Sequence, residues 1–72
     1  MQEREQFIKV VNKHKGSVFR LAYGYLRNRA DAEDVVQEVF LKLHRFGGSF
    51  ESDEHVKRWL LRVTINECTS VY

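Results

Sequence analysis

Apolar positions recur along this chain in three blocks, each at the spacing of an α-helix. In the first, Phe7, Ile8, Val11, Val18, Phe19, Ala22, Tyr25 and Leu26 fall on one broad stripe, which predicts a helix over about residues 3–27. Gly16 and Ser17 lie inside it as a candidate kink, and Asn28, which tolerates left-handed backbone, is a plausible stop. A second helix is predicted over about residues 31–45. Asp31 is placed to cap it, and Glu33 and Asp34 add negative charge in the first turn, where the helix dipole favours it. The stretch FGGSFES, with two glycines and two serines, reads as a loop over about residues 46–52. Ser52 or Asp53 can cap a third helix over about residues 53–70, in which Val56, Trp59, Leu60 and Val63 make the core stripe. No segment keeps a strand-like alternation for long. The expected fold is all-α, a compact three-helix bundle, with Gly16 as the point where the first helix is free to bend.

The second block has a misfit. At about 100° per residue, Val35, Val36, Val39, Phe40 and Leu43 share one side and form the core face. The opposite side collects Asp34, Gln37, Glu38, Leu41 and Arg45, with His44 at its margin and Leu41 near its centre. One explanation is a solvated face with a scattered exposed leucine, Asp34 serving the N-terminal turn. The other is a small protein-binding patch, in which a desolvated apolar anchor supplies energy and a polar rim supplies orientation. The pattern alone leaves both open.

On the third helix, Trp59 shares a face with aliphatic residues, which favours core packing over stacking on a nucleic-acid base. Arg58 and Arg62, four apart, share a different face with Lys57 to one side. Those cations are either an ordinary wet surface or contacts to phosphate.

Length and composition narrow the classes. A chain of 72 residues supports one domain, near the lower limit for folding without disulfides or metal. Apolar content of 43%, charged content of 31% and no proline fit a small soluble helical domain rather than a disordered one. The net charge of +2 conceals segregation: residues 1–29 carry seven bases and two acids, residues 30–38 four acids and no base. That asymmetry permits a cationic surface for nucleic acid and an acidic patch for a different partner, although plain solvated faces look similar.

Cys68 stands alone, so no internal disulfide forms, and with His14, His44 and His55 scattered no metal site is expected. No cofactor is expected either, and a reducing compartment is the simpler setting. MQEREQF lacks the apolar core of a signal peptide and no run is long enough to span a membrane, so the chain is read as cytoplasmic, without membrane insertion. An enzyme is the least supported class, since no phosphate-cradling loop follows a strand and no nucleophile sits beside a plausible base. His14, close to the first stripe, is expected to be a satisfied interior or border histidine.

The stretch DAEDVVQEVFLKLHRF, followed after the loop by KRWLLRVTINECTS, resembles region 2 of the bacterial RNA polymerase sigma factors of the extracytoplasmic-function group. In that pattern an acidic D-A-E-D entry leads to V-Q-E-x-F, a loop phenylalanine, and a W-L-x-R-[IV] helix with an Asn three residues after its Ile or Val. These correspond to residues 31–34, residues 36–40, Phe50, residues 59–63 and Asn66. With FIKVVNKHKGSVFRLAYGYL taken as the first helix, the resemblance covers nearly the whole chain.

The resemblance implies a transcription initiation factor domain. Its second helix would dock on the clamp helices of the largest subunit of core RNA polymerase through Asp34, Gln37 and Glu38, on the face that also holds Leu41 and Arg45. Leu41 would then be exposed because polymerase covers it. The loop and third helix would capture a base flipped from the non-template strand of the promoter's minus-ten element, using Lys42, Phe46, Phe50, Val63 and Asn66, while Lys57, Arg58 and Arg62 meet phosphates. A flipped base needs an apolar or aromatic wall and groups that bond its edge. Each of these also has a plainer reading: Phe46 closes the second helix against the core, Phe50 anchors the loop, Asn66 bonds backbone.

Departures from the family pattern bear on the promoter. Glu51, Asp53 and Glu54 follow where an Arg-Gly is common, and Ile65 stands where Arg is frequent, so the resemblance leaves promoter sequence open. The C-terminal domain of the family, a helix-turn-helix that reads the minus-thirty-five element, is absent from this chain. The third helical pattern runs to the last residues without a stop signal, which suggests a longer parent. An anti-sigma factor that masks the second helix is a further candidate partner. The competing class is a small helical protein-interaction module without nucleic acid. A helix-turn-helix reader of duplex DNA ranks lower, because the predicted loop is too long for that motif's turn.

Overall fold

In the computed structural model, residues 2–46 and 50–70 are described, with side chains from Glu5 onward. They form three helices, α1 (Gln2–Leu26), α2 (Arg29–Phe46) and α3 (Asp53–Ser70). Each helix packs against both others, so the expected three-helix bundle is the architecture. Of the loop expected over about residues 46–52, Phe46 ends α2, residues 47–49 lie outside the described residues, and Phe50, Glu51 and Ser52 lead into α3.

The periodic apolar positions explain the packing. Val18 and Ala22 from α1, Ala32, Val35, Val39, Phe40 and Leu43 from α2, and Val56, Leu60 and Cys68 from α3 make one buried core. Fully burying a Val or Leu side chain contributes about 1.5–3 kcal/mol, and a domain this small depends on every one. The α1 stripe is narrower than the sequence suggests: Ile8 and Tyr25 are exposed, because a helix touching two neighbours covers only part of its circumference. α1 passes through Gly16 and Ser17 as a single helix.

The joint between α1 and α2 corrects two expectations. Arg27, not Asn28, takes the left-handed conformation, at φ 54°, while its N–H still donates to the Tyr23 carbonyl at 2.8 Å. Asn28 instead caps α2: its Oδ1 accepts from the Asp31 N–H at 3.0 Å, and its carbonyl from the Ala32 N–H at 2.9 Å. Asp31 is therefore a first-turn acid rather than the cap, and α2 begins at Arg29, ahead of the expected start. At α3 the cap is Ser52, whose Oγ accepts from the His55 N–H at 3.1 Å. Asp53 and Glu54 then occupy the first turn.

The core stripe of α3 runs further than Val63. Thr64 and Cys68 are fully buried, continuing Val56 and Leu60 at four-residue steps, whereas Trp59 and Val63 sit half-buried on the flank. Thr64 is tolerated there because its hydroxyl donates to the Leu60 carbonyl at 2.6 Å. Burial, and then the neighbouring Glu67 carboxylate, push the Cys68 thiol up in pKa, so it is a packed thiol rather than a reactive thiolate.

His14 is interior, as expected, at 5% exposure, but it is not satisfied: among the described residues its Nε2 has no hydrogen-bond partner, and it lies 3.7 Å from Asp53 Oδ1, a carboxylate already paired with Lys13. Burial, then the Lys13 and Lys57 charges, hold its pKa below the ordinary 6.5. The unfolded chain therefore takes up a proton at His14 more readily than the folded one. Stability present above pH about 6.5 is lost as the pH falls toward the depressed folded value. We expect thermal unfolding midpoints to drop from pH 7.5 to 5.5, and a His14→Gln chain to lose much of that drop; an equal drop in both proteins would show that another group carries it.

Candidate functional site

Two surfaces carry the residues singled out by the sequence. The first is the outer face of α2. Because Val35, Val39, Phe40 and Leu43 commit one side of the helix to the core, helical geometry turns Asp34, Gln37, Leu41 and Arg45 outward, and all four are exposed; Glu38 is half-buried at the edge. Leu41 keeps 48% of its surface in solvent. At the margin of this face His44 is exposed and meets the Phe7 ring edge-on at 5.3 Å.

The second surface lies where α2 ends and α3 begins. Phe46 does not close against the core: it is 52% exposed, with its ring centroid 5.4 Å from Trp59 and 5.6 Å from Phe50. Phe50 and Trp59 are themselves 5.9 Å apart, and both pack on the core. The plain reading of Phe46 is thus replaced by an aromatic wall with a packed back and an open front. Trp59 serves the core, as expected, and also backs this wall. The loop segment is steadied on its other side by His55, whose ring lies 5.2 Å from Phe50 and whose Nδ1 accepts from the Glu51 N–H at 3.4 Å.

Along α3, Arg58, Arg62 and Asn66 recur at four-residue steps on one exposed ridge, with exposed Lys57 beside it. The Asn66 side chain makes no hydrogen bond among the described residues, so its amide is open to a ligand. Lys42, which the resemblance groups with the base-capture residues, is engaged within the protein. Its ammonium is paired with Glu67 of α3, a residue that no local spacing could have flagged because its partner is on another helix. Among the described residues no group of three metal-ligating side chains comes together, and no helix is long and apolar enough to cross a membrane.

The architecture is that of a small all-α domain whose distinctive side chains stand on open faces of α2 and α3. The chain belongs to the Sigma-70 region 2 family, which matches residues 10–72. It is 36% identical over 66 residues to the ECF RNA polymerase sigma factor SigM of Mycobacterium tuberculosis, covering 92% of this chain and 34% of that protein. It is 30% identical over 64 residues to the ECF RNA polymerase sigma factor SigW of Bacillus subtilis, covering 89% of this chain and 34% of that protein. The ECF RNA polymerase sigma-E factor of Escherichia coli shows 33% identity over 64 residues, 89% of this chain and 33% of its own length. The chain thus spans about a third of the length of the curated relatives it matches. No solved structure matches.

Proposed function

We propose that this chain is a transcription initiation factor domain that binds core RNA polymerase through the outer face of α2 and captures the minus-ten element of a promoter with the aromatic wall and α3. The observation that supports it most is the division of α2: its inner face is closed off in the core, while Leu41 stands in solvent among Asp34, Gln37, Glu38 and Arg45, in a chain that belongs to the Sigma-70 region 2 family.

The proposed division of labour follows from the chemistry of each group. Leu41 supplies apolar burial against the clamp helices of the largest subunit, and the carboxylates, amide and guanidinium around it fix orientation. A regulatory protein such as an anti-sigma factor would compete for the same face. Lys57, Arg58 and Arg62 neutralise phosphates, a sequence-blind contribution that weakens with salt because releasing counterions into a saltier solution gains less entropy. Phe46 and Phe50 offer a surface for an unstacked base, and the open Asn66 amide both donates and accepts along a base edge. The domain carries no bond-breaking step. It offsets the few kcal/mol of unstacking a base with contacts available only to the open strand. Such work belongs in the cytoplasm, beside the polymerase.

The test is binding of short fluorescent single-stranded DNA, selected for affinity from a random pool, by the unaltered chain and by Asn66→Ala and Phe50→Ala. Losing one stacking or edge contact costs about 1–3 kcal/mol, so each variant should bind roughly tenfold more weakly while its salt dependence stays the same. Equal binding by all three proteins would refute base capture at this wall.

A further inference from the structure

Lys42 of α2 and Glu67 of α3 form an ion pair across the two helices, and the two partners are not equally free. The Lys42 side chain is 43% exposed, that of Glu67 only 19%. Glu67 follows Asn66 directly on α3, so its carboxylate lies at the border of the nucleic-acid edge, and its field reaches inward far enough to help push the Cys68 thiol up. We infer that Glu67 is a positioning residue of this edge, an internal counter-ion that holds the Lys42 ammonium away from phosphate and so suppresses sequence-blind binding. The inference rests on the nucleic-acid reading above.

The physical reason lies in the asymmetry of burial. A half-buried carboxylate that loses its cation is left poorly solvated, whereas an ammonium on a flexible stem is readily rehydrated or re-paired. Exchange of Lys42 from Glu67 to a DNA phosphate therefore forms one ion pair and strands one charge. Generic phosphate contact gains little from Lys42, and discrimination rests more on the wall and on Asn66. A cation already neutralised within the protein also has no condensed counterion to displace from DNA, so Lys42 should be missing from the salt dependence of binding.

The experiment measures binding of fluorescent single-stranded DNA of randomised sequence over a range of salt concentrations. Glu67→Gln should bind about three- to tenfold more tightly at low salt, with a slope of log affinity against log salt steeper by about 0.7, the increment for one more neutralised phosphate on a single strand. In a Lys42→Gln background the same Glu67→Gln change should give a much smaller gain and no change in slope. A purely structural role for Glu67 would not move that slope. Gln keeps the shape of Glu and its helix propensity, and Glu67→Ala provides a second route to the freed lysine should Gln pack badly.

Unaltered or weaker binding by Glu67→Gln and Glu67→Ala overturns the inference, as does a gain that persists in full without Lys42. If the unaltered chain binds with salt dependence and only the Glu67 variants behave otherwise than expected, the nucleic-acid reading stands and this inference falls. If the unaltered chain shows no salt-dependent binding at all, both fall.

Discussion

Leu60→Ala should remove about 4 kcal/mol of folding stability, in a range of 2–5 for buried leucines. A 72-residue domain at typical specific stability has roughly 4–10 kcal/mol in total, so this one change would leave an appreciable unfolded population. Leu60 is fully buried and is the largest of the side chains that are. The cost should fall in the upper half of the range, because other fully buried residues are short: Val18, Val39, Ala22 and Ala32. Valine has one strongly preferred rotamer in a helix and alanine has none to change, so little can swing into the void. The Thr64 hydroxyl bonds the Leu60 backbone carbonyl, a contact the substitution leaves in place, so the measured loss reports the deleted side-chain atoms and the cavity they leave, not a lost hydrogen bond. In urea the midpoint should drop sharply with an unchanged slope. A shift worth only a few tenths of a kcal/mol would mean that Leu60 is not at the centre of the bundle.

The second large effect concerns a leucine with the opposite environment. Leu41→Arg should weaken binding to core RNA polymerase at least tenfold, about 1.4 kcal/mol or more, while leaving thermal stability nearly unchanged. Leu and Arg have similar helix propensity, and the position is half in solvent, so the fold has little reason to respond. The proposed complex does have one, since a guanidinium would be forced into the apolar centre of that contact. Comparison of the two proteins by titration against core polymerase, alongside a thermal melt of each, separates the effects. Retained affinity would dismiss Leu41 as an anchor, and a large loss of stability would mean that α2 is amphipathic in a different sense from the one described.

These two leucines show how much the sequence could tell. Both occur in helical blocks, and phase within each block separates them: Leu60 falls in line with Val56, Leu41 opposite Val39 and Leu43. Helical phase is a local property, repeated every three or four residues, and it is written in the chain. Phase does not say how wide a covered arc is. Ile8 and Tyr25 lie on the α1 stripe yet remain exposed, and Thr64 and Cys68 are fully buried though neither looks like an obvious core residue. The joint residues depart from the sequence pattern for a related reason. Arg27 turns and Asn28 caps because two helices meet within two residues, so a residue suited to ending one helix was needed to begin the next.

The candidate site divides in the same way. Asp34, Gln37, Leu41 and Arg45 on α2, and Arg58 and Arg62 on α3, were legible as faces of single helices, and Asn66 only through the family resemblance. The meeting of Phe46 with Trp59 and Phe50 was not, nor was the capture of Lys42 by Glu67. By itself the sequence determined that there would be three amphipathic helices and which side of each would be dry, because both follow from periodicity within one segment. Only the tertiary structure decided which aromatic ring stays open, which histidine is buried without a partner among the described residues and which lysine is neutralised. Those outcomes depend on distances between side chains far apart in the chain, and helix packing alone sets such distances.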